Sequence, residues 1–179
     1  QGVDNIGVGI LHDPEALEMA RQLGVGKGGV FALGGKQSSF SGTPLVVPGR
    51  VSALADDDGV DARGTVGGPS SGPLALIETG FGAVVVSRER RQALSPSFFA
   101  AVGADARAFR CILLKSSAHF RAAFADFEHT ILEVGSPTAM NTNLAAMPFE
   151  RIRRPLWPFD PLPSLKIWAA EPATGAKSG

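Results

Sequence analysis

The densest group of chemically capable side chains lies between residues 115 and 121, in the run Lys-Ser-Ser-Ala-His-Phe-Arg. Lys115, His119 and Arg121 can each donate hydrogen bonds to an anion or a carbonyl oxygen, and Ser116 and Ser117 add hydroxyl groups. Such donors suit a peptide carboxylate, or the oxyanion that develops when an amide is hydrolysed. The same spacing also allows a plainer interpretation, in which a serine caps a helix and the basic side chains are only solvated.

The flanking sequence predicts a strand before this run and a helix after it. The apolar run at 111–114 indicates a buried strand, in which Cys111 is a small core residue. Phe120, Phe124 and Phe127 recur with the spacing of one helix face, and a serine at the junction suits an N-cap. Backbone N–H groups at such a junction would add to the cationic donors, so the sequence predicts a site for an anionic or carbonyl oxygen.

The remaining elements predict an α/β domain with a mixed β-sheet, a β-hairpin and flanking helices. Further strands are expected over residues 6–11, 29–33, 45–55, 74–78, 83–87 and 130–134. Strands 74–78 and 83–87 are predicted to form the hairpin. Strand 45–55, interrupted by Pro48, is interpreted either as bent or as an edge strand.

Two helices are also predicted from their boundary residues. Asp13 suits the N-cap of the first, Pro14 its first position, and Gly24 its end. A shorter helix is expected over residues 95–102. The Pro-rich sequence from Arg151 to Pro158 is interpreted as an extended C-terminal strap, and residues 162–179 as a flexible tail.

Composition restricts the function classes. Formal net charge is zero over 179 residues, which argues against a nucleic-acid partner. No apolar run approaches the length of a membrane span, so no membrane partner is expected. The single cysteine excludes an internal disulfide and any zinc site made of several thiolates, and with the lack of an export signal it favours the cytoplasm. Because the chain begins at Gln1 in strand-like sequence, we expect a fragment of a longer protein.

Other motifs give weaker signals. The turn Gly34-Gly35-Lys36 resembles a phosphate loop only loosely, since Val30 and Gln37 stand where that loop needs a glycine and a hydroxyl. The acidic run at 56–61 lacks the closing glutamate of a calcium loop and predicts a solvated turn. His12 and Asp13 could bind a metal, but Asp13 is already assigned as a helix cap. We therefore expect no metal ligands in this chain.

Taken together, several segments resemble the C-terminal domain of the microcystinase C (MlrC)-like metallopeptidase family. The matching segments, in family order, are Ile10-Leu11-His12-Asp13-Pro14-Glu15-Ala16, Leu33-Gly34-Gly35-Lys36, Gly42-Thr43-Pro44-Leu45, Val84-Val85-Val86-Ser87-Arg88, Ser95-Pro96, Leu114-Lys115-Ser116-Ser117-Ala118-His119-Phe120-Arg121-Ala122-Ala123-Phe124 and Arg153-Arg154-Pro155-Leu156-Trp157-Pro158-Phe159-Asp160. The lysine–serine–histidine–arginine stretch is the most specific of them. The resemblance covers about residues 5–161, and we expect residues 1–161 to form the domain.

The resemblance implies a zinc-dependent peptide or amide hydrolase whose zinc ligands lie in a separate N-terminal domain, the partner of this one. By this resemblance, the chain would complete the substrate cleft, hold no catalytic residue and be inactive alone. The residues expected to face a peptide-like substrate are Lys115, Ser116, Ser117, His119 and Arg121, with Gly35 and Lys36 as a weaker second element.

Two alternatives stay open on the sequence alone. One is a stand-alone, non-catalytic binding or scaffold domain that contacts its partner through Arg151, Arg153 and Arg154 on the strap. The other is a self-sufficient hydrolase that uses Ser117 and His119. The second is poorly supported, because the sequence lacks a nucleophile elbow and two groups on one helical turn do not form the usual triad geometry.

Overall fold

The computed structural model of the chain describes residue 2 and residues 4–39, 41–56, 72–116, 118–127, 130–135 and 149–161. The chain divides into two compact units, Gln1–Ala139 and Met140–Gly179. The first unit contains the helices and strands reported below. The predicted tail at 162–179 and most of the acidic run at 56–61 lie outside the described residues.

A six-stranded mixed sheet forms the body of the first unit, in the order β2-β3-β4-β5-β1-β6. The strands are β1 (Ile6–His12), β2 (Gly28–Leu33), β3 (Leu45–Ala55), β4 (Leu74–Thr79), β5 (Gly82–Ser87) and β6 (Cys111–Leu114). Strand β1 is parallel to both of its neighbours, β5 and β6, while the pairs from β2 to β5 are antiparallel. The predicted mixed α/β fold and the β4–β5 hairpin are therefore confirmed.

The helices are α1 (Pro14–Leu23), α2 (Ser97–Ala101) and α3 (Phe120–Ala123), with one 3₁₀ turn at Ala106–Ala108. Successive residues of β4 point to opposite faces of the sheet, and both faces are covered. Ala75 and Ile77 are buried in a cluster with residues of α1, whereas Leu74 and Leu76 are buried in another with residues of α2. Because both faces are covered, β4 and β5 are apolar almost throughout.

Helix α1 begins where the sequence predicts, and its N-cap residue, Asp13, also binds groups outside the helix. The Asp13 side chain accepts a hydrogen bond from the backbone N–H of Ala16 at 3.1 Å, and it is 1% exposed. The same carboxylate accepts from the backbone N–H of Gly34 at 2.9 Å and from Nζ of Lys36 at 2.7 Å. The backbone N–H of Asp13 donates to Ser87 O at 3.1 Å. One buried residue thus connects the ends of β1 and β5, the start of α1 and the loop after β2.

Of the two interpretations of strand 45–55, the edge strand is wrong, because β3 lies between β2 and β4; a register shift between Val51 and Ala53 interrupts its pairing with β4. Two further predictions are wrong. Strand β6 is itself at an edge and alternates exposed with half-buried residues, so Cys111 is exposed and not a core residue. Residues 130–135 form no strand.

Helix α3 also differs from its prediction. It contains only four residues, and its N-cap is His119, without a side-chain cap from a serine. The phenylalanine spacing nevertheless produces contacts, because ring centroids lie 6.4 Å apart for Phe120–Phe124 and 5.0 Å apart for Phe124–Phe127. Phe124 is buried, so the apolar spacing reflects packing more than helix length.

Within the second unit, residues 149–161 contain a turn and are not extended throughout. The Asp160 carboxylate accepts hydrogen bonds from the Arg154 guanidinium and from the backbone N–H of Leu156, both at 2.9 Å. Phe149 and Phe159 make an edge-to-face contact with centroids 5.5 Å apart. These contacts close the predicted strap into a compact loop.

Replacing Lys36 with methionine is expected to destabilise the protein. The substitution keeps most of the side-chain volume but leaves the buried Asp13 carboxylate without its cation, which costs about 3 kcal/mol. Chemical denaturation would measure the free energy of unfolding, with the exposed Lys27→Met as the matched control. Adding Asp13→Asn to Lys36→Met should recover part of the loss, because asparagine can still cap α1 without a charge. Equal losses in the two lysine variants would contradict this role for Lys36.

The turn at 154–160 is expected to open in acid. The hydrogen bond from Arg154, and then that from the Leu156 N–H, hold the pKa of Asp160 below its usual value of 3.8. A lowered carboxyl pKa contributes stability that is present above the unfolded value and is lost as the pH falls through the lowered value. The Leu156 amide resonance should therefore move only below about pH 4.

NMR titration of the Asp160 carboxyl group would measure this effect directly. In Arg154→Gln the titration should move up towards the usual value, whereas Arg153→Gln, at an exposed neighbour, should leave it unchanged. An identical titration in Arg154→Gln and the unmodified chain would show that the ion pair does not hold this turn.

Candidate functional site

The predicted site lies at the carboxyl edge of the three parallel strands. Strands β1 and β5 end side by side, with His12 paired to Ser87. Strand β6 ends at Leu114, which pairs with Gly9, so the next residues run along the last part of β1. Ligands of open α/β sheets commonly bind outside the carboxyl ends of parallel strands, which makes this edge the natural place for a binding site.

Lys115 and Ser116 leave β6 towards this edge. The backbone N–H of Lys115 donates to Gly9 O at 3.4 Å, and its side chain is exposed. Within the described parts of the chain, the Lys115 ammonium has no hydrogen bond or ion pair. The Ser116 hydroxyl oxygen is buried and also lacks a hydrogen-bond partner there. Ser117, predicted with them, lies outside the described residues.

His119 is exposed, and a glutamine from another loop holds its ring. Its Nδ1 lies 2.8 Å from Oε1 of Gln92, which follows β5. The interaction joins positions 27 residues apart in sequence. His119 therefore sits where the loops after β5 and β6 meet.

Arg121 lies two residues further on, in α3, and its guanidinium already has partners. It donates to the Glu133 carboxylate, and its Cζ lies 5.5 Å from the centroid of the Phe120 ring. The side chain is still 46% exposed. A substrate anion would therefore compete with Glu133 for this cation.

The second predicted element, Gly35 and Lys36, belongs to the loop after β2. Gly35 has φ of +68°, and a Cβ there would come within 2.4 Å of the backbone nitrogen of Pro44, so only glycine fits. The Lys36 side chain is 15% exposed, and its ammonium is bound to Asp13, with Glu15 Oε2 at 3.6 Å. These contacts give both residues a structural role in shaping the loop.

Side-chain hydrogen bonds connect the three loops at this edge. Arg90, in the loop after β5, donates to Oε1 of Gln37 in the loop after β2 at 3.1 Å. Gln92 of the same loop contacts His119 beyond β6. Both sequence-predicted elements therefore lie beside the loop at 88–94, which sequence reasoning did not include.

Two residues at this edge, Gln92 and His12, are not among those predicted to face the substrate. Gln92 has no sequence feature that distinguishes it from other loop glutamines. The sequence suggests His12 as a possible metal ligand, and its Nδ1 is buried at the end of β1 without a hydrogen-bond partner among the described residues. Pairing of the strand ends, which only the fold determines, brings both residues to the edge.

The described residues do not fit a zinc site. No group of three or more histidine, cysteine, aspartate or glutamate side chains within the described ranges is placed to hold a metal ion. Asp13, the most buried carboxylate among them, is bound by a lysine and two backbone N–H groups.

No helix within the described residues is long and apolar enough to cross a bilayer.

Comparisons with known proteins agree with this fold. Microcystinase C from Sphingomonas sp. is 29% identical over 155 residues, which are 87% of this chain and 29% of that protein. A crystal structure from Mesorhizobium sp. BNC1, whose protein bears the provisional name metallopeptidase, matches with a TM-score of 0.70 at 24% identity. That match covers 90% of this chain and 32% of the other, and it shows the shared fold.

The chain thus spans less than a third of the length of each relative. The family model described as MlrC C-terminus matches residues 1–151, which include the whole sheet and the site at its carboxyl edge. The chain therefore belongs to the MlrC C-terminus family.

Proposed function

We propose that this chain forms one wall of the substrate cleft in a zinc-dependent peptide or amide hydrolase, with the zinc held by an N-terminal domain of the same protein. The name of the Mesorhizobium protein supports a metallopeptidase, and the family, described as MlrC C-terminus, supports a C-terminal position. No step of the reaction is assigned to the described residues of this chain, because they offer no ligand set for the metal. Their role is to bind and orient a peptide-like substrate.

The observation that carries the proposal is the exposed ammonium of Lys115, which has no partner among the described residues. Lys115 follows β6 at the carboxyl edge of the parallel strands, four residues before the exposed His119. A lysine in that state can bind a substrate carboxylate without first breaking an internal ion pair. His119 adds a hydrogen-bonding group, and Arg121 adds a second cation after displacement from Glu133. The wall is therefore suited to a peptide that ends in a free carboxylate.

The structure gives less support to a binding domain that uses the strap. Arg154 donates to Asp160, and its Cζ lies 5.0 Å from the centroid of the Phe159 ring. Arg151 and Arg153 are exposed. One of the three proposed contact residues is thus already engaged within the strap.

A cytoplasmic location also belongs to the proposal, since Cys111, the single cysteine of the chain, is exposed and unpaired.

Lys115→Met is expected to weaken binding of peptides with a free C-terminal carboxylate. Loss of one hydrogen bond between charged groups, worth about 1.5–3 kcal/mol, should raise KM about 10–100-fold. Steady-state kinetics on the protein that contains both domains would measure KM for a free peptide and for its C-terminal amide. The amide should bind equally well to both forms of the enzyme, because it presents no anion to Lys115.

Lys27→Met is the matched control, since Lys27 is an exposed lysine in the segment between α1 and β2. Arg121→Met should have a smaller effect than Lys115→Met, because the Glu133 carboxylate competes for Arg121 in the unmodified protein. Unchanged KM for the free peptide in both Lys115→Met and Arg121→Met would rule out the proposed role of this wall. Hydrolysis by residues 1–179 without any further domain would rule out the division of labour.

A further inference from the structure

We propose that Gln92 is a positioning residue that holds His119 with its Nε2 atom as a hydrogen-bond acceptor directed to the substrate. The inference rests on the proposed function, because it takes His119 to face the cleft. It adds a residue that the sequence did not indicate, and it specifies which substrate group His119 contacts.

The hydrogen bond itself fixes the proton on the ring. An amide oxygen can only accept, so Nδ1 of His119 must donate to Oε1 of Gln92 across the 2.8 Å between them. A neutral imidazole carries one N–H proton, and here that proton is on Nδ1. Nε2 of the neutral ring is then unprotonated and can accept a hydrogen bond.

The backbone around Gln92 is held in place from both sides. Ala93 is fully buried in the cluster that contains α2, and the backbone N–H of Leu94 donates to Gln92 O at 3.0 Å. Earlier in the loop, Arg90 donates to Gln37. The side-chain amide oxygen of Gln92 can therefore orient the exposed imidazole of His119. His119 is only the N-cap of the short helix α3, so that helix does not fix its ring.

A neutral His119 of this tautomer complements Lys115. Lys115 offers N–H donors to an anion, whereas Nε2 of His119 accepts from a donor such as a peptide N–H. The pair would recognise a substrate that presents both a carboxylate and an amide N–H, as the C-terminal end of a peptide does. An ester in place of that amide keeps the carboxylate but removes the donor.

The tautomer can be measured on the 179-residue chain without any activity assay. Nitrogen NMR of ¹⁵N-histidine-labelled protein distinguishes protonated from unprotonated ring nitrogens, and the His119 signals are assigned by their loss in His119→Asn. The unmodified chain should show the Nδ1–H form at a pH where the ring is neutral. Gln92→Ala should shift His119 to the Nε2–H form that imidazoles prefer in water, while Gln92→Glu, which keeps an acceptor oxygen, should retain Nδ1–H. Gln22→Ala, which removes an exposed glutamine bound to Glu18, is the control.

Kinetics on the two-domain protein then test the consequence for substrate. Gln92→Ala should lower kcat/KM about tenfold for a peptide with an amide N–H, in line with the loss of a group that orients a binding residue. The matching ester should show little change. Gln92→Glu should restore most of the peptide activity.

The outcomes separate this inference from the proposed function. An Nε2–H tautomer in the unmodified chain, or one that Gln92→Ala leaves unaltered, would overturn the positioning role. A tautomer shift in Gln92→Ala together with full activity of His119→Asn would support the positioning role but overturn the cleft role of His119. Equal losses for the peptide and the ester in Gln92→Ala would overturn the assignment of the amide N–H as the group recognised.

Discussion

The buried carboxylate of Asp13 is the interaction on which the candidate site depends. A charge that is 1% exposed is tolerated only when its oxygens are fully bound, and here the donors are two backbone N–H groups and one ammonium. The donors belong to two features: Ala16 to the first turn of α1, and Gly34 and Lys36 to the loop after β2. Satisfying one charge therefore fixes the loop against the end of β1.

The order of strands in the sheet determines which loops lie close enough to contact one another. Because β1 is parallel to both β5 and β6, the segments after all three strands leave the sheet at one edge. The loop at 88–94, after β5, contacts two other loops: Arg90 contacts Gln37 in the loop after β2, and Gln92 contacts His119 after β6. The site is thus an assembly of three loops, and the lysine–serine–histidine–arginine run is only one of them.

Sequence patterns predict the parts of this assembly that depend on local physics. The cap at Asp13 and the hairpin of β4 and β5 follow from helix capping and from the alternation of apolar residues. The exposure of Cys111 and the pairing of Gln92 with His119 could not be predicted in this way. Both depend on β6 lying at an edge of the sheet beside β1, which is a property of strand order.

Among the three cations of the predicted site, surroundings decide the role more than residue type does. Lys36 and Lys115 both end in an ammonium group. That of Lys36 forms an ion pair with Asp13, whereas that of Lys115 is exposed without a partner in the described parts of the chain. Arg121 is intermediate, because it is half exposed and shared with Glu133. A substrate carboxylate binds most tightly to a cation that has no internal ion pair, because breaking such a pair reduces the net binding free energy. By that criterion Lys115 is the strongest of the three candidates for holding a carboxylate, and Lys36, bound to the buried Asp13, is the weakest.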